Sequence, residues 1–339
     1  MFCAVMHNGF EIAGQSIQGK RPQNQDAILF QYLGEHPSRW IIAVADGMGG
    51  AAGGEIASGL AIEVLKNKLD EELDQLLTRP ETMKAFLARC VEAMQMEIRN
   101  RTERDPAYNG MGTTFSALLC LDDRYVWCNI GDSRIYQFFA DGSFSQVSRD
   151  HSYVQDLLDQ GIAVNAEQLR RFGHVITRVV DGSTHQPDLF PQEMEYARIE
   201  ENTTGFLVCS DGLLLESSDN QAFFSHFYQA KPLKKIGQDL SNYALAEGSN
   251  DNISVVLARS RDYKDGEVEA APTTARQHTE SPTLRIIKQG PVRRRKRPVA
   301  KGLIWGLVIG LGLAAAWYFL YRQDYQWRKI LDAVFNLFR

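Results

Sequence analysis

Apolar runs that stop or start at an aspartate recur five times along this chain. WIIAVADGMGG, Trp40 to Gly50, is an unbroken apolar run that reaches Asp46 and passes into a glycine-rich turn. YVWCNIGDSR likewise ends at Asp132 and FLVCSDGL at Asp211, whereas NQDAILFQY begins at Asp26 and NDNISVVLA at Asp251. Short runs rich in β-branched and aromatic residues, bounded by Gly, Asn and Asp, predict strands. In an antiparallel sheet the ends of some strands lie beside the starts of their neighbours, so all five carboxylates can gather on one rim.

Between these strands the periodicity changes. Met1 to Gly19 offers a weakly alternating first strand; AILFQYL and WIIAVAD, joined by Gly34 to Arg39, predict a hairpin with Asp26 and Asp46 on one edge. Apolar residues from Ile56 to Leu76 recur at helical spacing, predicting a helix over 55–77, and those from Met83 to Ile98 predict a second over 81–101. TTFSALLCL and RYVWCNIGD read as strands, followed by the hairpin RIYQFFADGSFSQV, where Asp141-Gly142 predicts a type I′ turn. Ser152 onward predicts a short helix, AEQLRRF another, HVITRVV a strand, and 205–209 a further strand. Helices are expected through Phe227 and over 233–246, before the last strand, ISVVLARS. Strand runs at both ends with helix pairs between them predict an α+β layered fold rather than a parallel sheet.

The pattern breaks after Arg259. Prolines at 272, 282, 291 and 298 among polar residues predict a flexible linker over 261–301, ending in the basic cluster RRRKRP. Gly302 to Tyr321 carries no charge, and twenty helical residues span roughly 30 Å, the thickness of a bilayer core. A single transmembrane helix is therefore expected over 302–321, with an amphipathic tail over 322–339. The heavier basic cluster precedes the span, which orients residues 1–260 to the cytoplasm as a body tethered to the cell membrane and its lipid. Gly302, Gly306 and Gly310 repeat every four residues, a spacing that lets two spans approach closely and so allows a dimer through this face, although glycine is common in spans anyway.

The chain of 339 residues is 44% apolar and 23% charged, within the range of ordinary globular proteins. Its net charge of −5 is the sum of a basic C-terminal region and a strongly acidic body. Such a body repels nucleic acid and suits cations. Five cysteines without paired spacing point to a reducing compartment, and the N-terminus lacks the pattern of a signal peptide.

No histidine cluster accompanies the five aspartates. An oxygen-only acidic site prefers hard divalent ions, Mg²⁺ or Mn²⁺, and two such ions would offset the mutual repulsion of the carboxylates. Ions so placed can bridge and acidify one water and aim the hydroxide at phosphorus, so hydrolysis of a phosphate ester is the chemistry expected. Turn or cap aspartates would account for one such motif but not for five at strand ends.

The series RPQNQD, VADGMGG, GMGTT, IGDSR, RDHS, VITR, CSDGL and DNIS, in this order over about residues 10 to 260, resembles the protein phosphatase 2C family of metal-dependent Ser/Thr phosphatases, particularly its bacterial branch. The resemblance implies a four-layer α-β-β-α sandwich of two antiparallel sheets flanked by helix pairs, with a binuclear centre at one end. It implies that Asp46, Asp211 and Asp251 hold one ion, and that Asp46 and the Gly47 carbonyl hold the other. Asp26 would act through bound water, Arg21 would bind substrate phosphate, and Asp132 with Asp211 would hold a weaker third ion. The implied substrates are phosphorylated proteins; with the membrane tether, a membrane-associated Ser/Thr kinase becomes the expected partner.

Two positions depart from the family pattern. Gln25 stands where some relatives carry Glu, and Met48 where eukaryotic relatives carry His, so a metal-bound water rather than an imidazole is expected to protonate the leaving alkoxide. His151 is read as a cap or structural hydrogen-bonding residue. Residues 152–174 correspond to the family's variable flap. A haloacid dehalogenase phosphatase would need an acid at the place of Met48, and a decayed binding module would have lost some carboxylates.

Overall fold

Alternate side chains of one strand enter two different cores. In β3 (Arg39–Met48), Trp40, Ile42 and Val44 join one apolar cluster, whereas Ile41, Ala43 and Ala45 join another. A strand covered on both faces reads as a continuous apolar run, as WIIAVA does. The computed structural model describes residues 9–213 and 223–263.

The other strands are β1 (Phe10–Ile17), β2 (Asp26–Tyr32), β4 (Gly112–Thr113), β5 (Phe115–Leu121), β6 (Arg124–Ile130), β7 (Arg134–Phe139), β8 (Phe144–Gln146), β9 (Asp188–Phe190), β10 (Ala197–Arg198), β11 (Thr203–Cys209) and β12 (Ile253–Ser260). One sheet runs β1-β12-β11-β7-β8; the other runs β10-β6-β5-β3-β2, with β4 on β3 and β9 on β6. Neighbours are antiparallel throughout.

The two sheets face each other across Phe10, Trp40, Leu118, Phe206 and Val256. Phe10 and Trp40 meet at 5.2 Å and Trp40 and Phe206 at 6.2 Å between ring centroids. Truncating a fully buried aromatic such as Trp40 to alanine costs about 3–5 kcal/mol. On the outer face of the second sheet lie α1 (Gly50–Thr78) and α2 (Met83–Arg104), which bury Leu65, Leu69, Phe86 and Val91 against it. On the outer face of the first lies α5 (Leu233–Ala246), which buries Leu233, Ile236 and Leu240 beside Phe223, Phe224 and Phe227. The layers are thus α-β-β-α. The second helix expected on this side falls partly on residues 214–222, outside the described residues.

Helix α1 starts five residues before the expected 55, because glycines that disfavour a helix intrinsically are needed here for close approach. A Cβ on Gly47 would meet the Gly54 carbonyl oxygen at 2.0 Å, and one on Gly49, at φ 120°, would meet Met111 Cα at 2.5 Å. The end of β3 and the first turn of α1 therefore touch backbone to backbone.

Two expectations are corrected. His174–Val180 forms no strand, only single bridges from Ile176 to Ser152 and from Val180 to Thr113; its amides bond loop carbonyls, as Thr177 N–H does with His151. Asp141-Gly142 does not form a type I′ turn, because of the two only Gly142 has positive φ (80°). Gly142 N–H donates to the Phe139 carbonyl and Phe139 N–H to Ser143, a three-residue loop with a glycine bulge. Short helices α3 (Tyr153–Asp159) and α4 (Ala166–Phe172) fall where expected, α3 with Ser152 and α4 with Asn165 as N-cap.

The linker, the span over 302–321 with its glycine face, and the tail over 322–339 lie outside the described residues. Among the described residues no helix is long and apolar enough to cross a membrane.

Candidate metal centre

The hairpin of β2 and β3 sets Asp26 directly opposite Asp46. The Asp46 carbonyl accepts from Thr113 Oγ1 at 2.9 Å and Thr114 N–H at 2.8 Å, and its own N–H donates to Thr114 Oγ1 at 3.0 Å. GMGTT is therefore the clamp on the Asp46 backbone. Thr114 Oγ1 also lies 2.7 Å from Ser133 Oγ, which joins the Asp46 strand to the turn bearing Asp132.

Asp251 comes in with the turn before β12. Arg21 donates to its Oδ2 at 2.7 Å, and the Asn252 N–H to its Oδ1 at 2.8 Å. Asn252 staples this turn to the loop preceding β2: its Oδ1 accepts from Gln25 N–H at 2.9 Å, and its Nδ2 donates to the Gln18 and Gln23 carbonyls, each at 2.8 Å. Gly47 N–H in turn donates to the Gln25 carbonyl. Asp211 opens a 3-10 turn after β11, and Ser210 beside it donates to Asp26 Oδ2 at 2.9 Å.

Asp26, Asp46, Asp132, Asp211 and Asp251 consequently stand within one electrostatic neighbourhood. Burial first, then Asp26 and Asp211, push the Asp46 carboxyl well above its ordinary range. Burial raises Asp26 to about 6 against the opposing hydrogen bonds of Ser254 and Ser210. Burial and Asp211 raise Asp132 to about 8. Asp211 is raised by burial and Asp251 while a hydrogen bond with Asp46 holds it down.

These groups fit divalent ions. Asp26 Oδ1 is buried without a hydrogen-bond partner, and crowded carboxylates kept partly neutral in the cation-free chain are those that a hard cation would ionise. Among the described residues, no three Asp, Glu, His or Cys side chains form a finished cage, since Asp46 and Asp211 bond each other and Asp251 bonds Arg21. Small hard ions keep several waters and take few carboxylates each, which suits such an open arrangement.

His151 is fully buried, accepts the Gly131 N–H at Nδ1 (3.1 Å) and presents Nε2 to Asp188 Oδ2 at 3.0 Å. These contacts brace the turn that carries Asp132. Asp150 takes a bidentate contact from Arg134, so RDHS and IGDSR interlock. Sequence reasoning missed Thr114, Ser133, Asn252, Ser210 and Asp188; the first four sit inside the quoted motifs, whereas nothing near Asp188 marks it.

The family model described as Protein phosphatase 2C matches residues 13–257. The serine/threonine protein phosphatase PstP of Mycobacterium tuberculosis is 33% identical over 251 residues, covering 74% of this chain but 44% of that protein; the chain thus spans less than half the length of that curated relative. Protein phosphatase PhpP of Streptococcus pneumoniae is 29% identical over 241 residues, 70% of this chain and 92% of that one. Among solved structures, the catalytic domain of PstP in complex with two manganese ions superposes with a TM-score of 0.61 at 31% identity, covering 74% of this chain and 97% of that chain. The serine/threonine phosphatase Stp1 from Staphylococcus aureus gives 0.65 at 26%, covering 76% and 99%.

Proposed function

The chain belongs to the protein phosphatase 2C family, and from that membership we propose that it hydrolyses phosphoserine and phosphothreonine in proteins with the help of Mn²⁺ or Mg²⁺. The observation that carries this reading is the gathering of five aspartates from five distant segments around the Asp26–Asp46 pair. Asp46, Asp211 and Asp251 would hold one ion, Asp46 and the Gly47 carbonyl a second, and Asp132 with Asp211 a weaker third. When bound, such ions supply water activation and neutralise charge on the transferring phosphoryl group.

The chain's own residues do the rest. Arg21 is half exposed and bonds Asp251 through Nη2 at 2.7 Å; once an ion takes that carboxylate, the guanidinium can turn to take two oxygens of an arriving phosphate monoester. Asp26, held by Ser210, orients water at the rim. His151 is fully buried, with Nδ1 taken by the Gly131 N–H and Nε2 3.0 Å from the Asp188 carboxylate, so the proton for the leaving serine or threonine oxygen is assigned to water at the site rather than to this imidazole.

The same reading makes the phosphatase body a cytoplasmic domain tethered by the linker and the uncharged segment 302–321, with phosphoproteins near the membrane as substrates and a membrane-associated Ser/Thr kinase as the opposing enzyme. The decisive assay is turnover of a phosphothreonine peptide by the purified chain with Mn²⁺ and with chelator. Phosphate release that depends on Mn²⁺ is expected; release undiminished by chelator refutes the proposal. For the tether, deleting residues 302–339 is expected to release the protein from the membrane fraction, and unchanged partitioning refutes it.

A further inference from the structure

At the far end of the strands from the aspartates, the two sheets part around a cavity of about 290 Å³. Cys209 pairs with Arg134 near the carboxylate rim, whereas Thr203 pairs with Phe139 at the cavity, so the length of a strand, about 20 Å, separates the two places.

The walls are aromatic: Tyr125, Trp127, Phe139, Phe144 and Phe190. Trp127 and Phe190 stack with centroids 5.3 Å apart and planes 4° apart. The ionised groups lining the cavity are Asp141 and Glu200, and no Lys, Arg or His joins them. Tyr125 is only 5% exposed, yet among the described residues no hydrogen bond engages its hydroxyl. An unpaired hydroxyl on an otherwise buried ring offers the cavity a donor and an acceptor for a ligand to engage. Gln137, 6% exposed, is fixed by its bond to Thr203 Oγ1 at 2.9 Å and adds a buried amide to the wall.

Those features select a ligand chemistry. An anion is repelled by Asp141 and Glu200. A purely apolar ligand leaves the Tyr125 hydroxyl unpaired and gains nothing from the two carboxylates. A flat, donor-rich cation satisfies all three demands, because a guanidinium stacks on aromatic faces, donates in its plane and carries permanent charge. We propose that this cavity binds a guanidinium cation, either a free small molecule or an arginine side chain presented by a partner peptide.

Calorimetric titration of the full chain tests this with three probes: agmatine, acetyl-Gly-Arg-Gly-amide and the same peptide with citrulline, a neutral isostere. Saturable binding of the guanidinium probes and none of the citrulline peptide is expected. Glu200→Gln, an exposed position whose change leaves the core intact, should weaken that binding about tenfold, and Tyr125→Phe should weaken it as well. A peptide that binds more tightly than agmatine identifies a partner protein as the source; the reverse identifies a free metabolite. The proposal is overturned by absence of saturable heat from both guanidinium probes up to about 10 mM, or by affinity unchanged in Glu200→Gln with thermal melting confirming that the variant is folded.

Discussion

Asp26 and Asp46 occupy the same register position on adjacent strands, so two buried carboxyls confront each other at the end of one hairpin. Each raises the energy of ionising the site as a whole, and the cation-free protein meets that cost by retaining protons.

Replacing Asp46 with Asn should therefore separate stability from activity. The cation-free Asp46→Asn protein is expected to melt above the parent at pH 8, because a carboxyl pushed up by burial and four neighbours is removed. At this size each kcal/mol recovered is worth on the order of 3 °C. The variant should also lose phosphatase activity and most of the Mn²⁺-induced rise in melting temperature. An unchanged Mn²⁺ shift would exclude Asp46 as a ligand.

The pH dependence has a defined sign. Asp26 is raised to about 6 and Asp132 to about 8, both by burial above all, from an ordinary 3.8. The folded cation-free chain binds more protons than the unfolded one, so this stability is full below about pH 4 and is lost as pH rises through the two folded values. Melting of the chelated protein is expected to fall from pH 5 to pH 8, and added Mn²⁺ to stabilise it more at pH 8 than at pH 5. A chelated protein that becomes more stable over that window would contradict this.

Arg21→Ala is expected to lower kcat/KM on a phosphothreonine peptide roughly 10- to 100-fold, in line with loss of charged hydrogen bonds, while leaving the Mn²⁺-induced melting shift in place. Arg21→Lys keeps the charge but not the fork and should recover only part of the loss. Full activity in Arg21→Ala would remove this residue from phosphate binding.

Asn252→Ala deletes three hydrogen bonds between the turn before β12 and the loop bearing Arg21. Leaving those backbone groups unpaired is expected to cost about 2–4 kcal/mol in urea unfolding. Faster hydrogen exchange of the Gln25 amide should accompany it, and normal protection there would mean that the loop is held by other contacts.

His151→Gln removes the imidazole that accepts from Gly131 and faces Asp188. The expected result is lower stability with both limbs of the pH-rate profile unmoved. Loss of one limb would assign the ring a part in proton transfer.

Much of this site was legible because strand alternation and short connections leave few choices. The hairpin from Asp26 to Asp46 follows from two apolar runs and one turn, and 233–246 was readable as a helix residue for residue. The start of α1 was not, since its glycines answer to the Gly47–Gly54 contact between distant backbones and not to local propensity. VITR has the composition of a strand, but its neighbours are loops, and a strand needs a partner to exist. The strands β9, of three residues, and β10, of two, are too short to carry a period. Asn252 is silent in the chain itself, because its meaning lies in three backbone groups more than two hundred residues away.

The first and last of the described strands pair, Phe10 opposite Ser260 and Ile17 opposite Ile253. Translation delivers residues at about 5–20 per second, so β1 waits many seconds on the ribosome for its neighbour, and the staple at Asn252 closes at the same late moment. A nascent chain interrupted at residue 252 already carries all five aspartates but lacks the strand that brings Asp251 to the rim. Completion of the carboxylate rim therefore waits for β12, and a product truncated before that strand should lack phosphatase turnover rather than keep part of it.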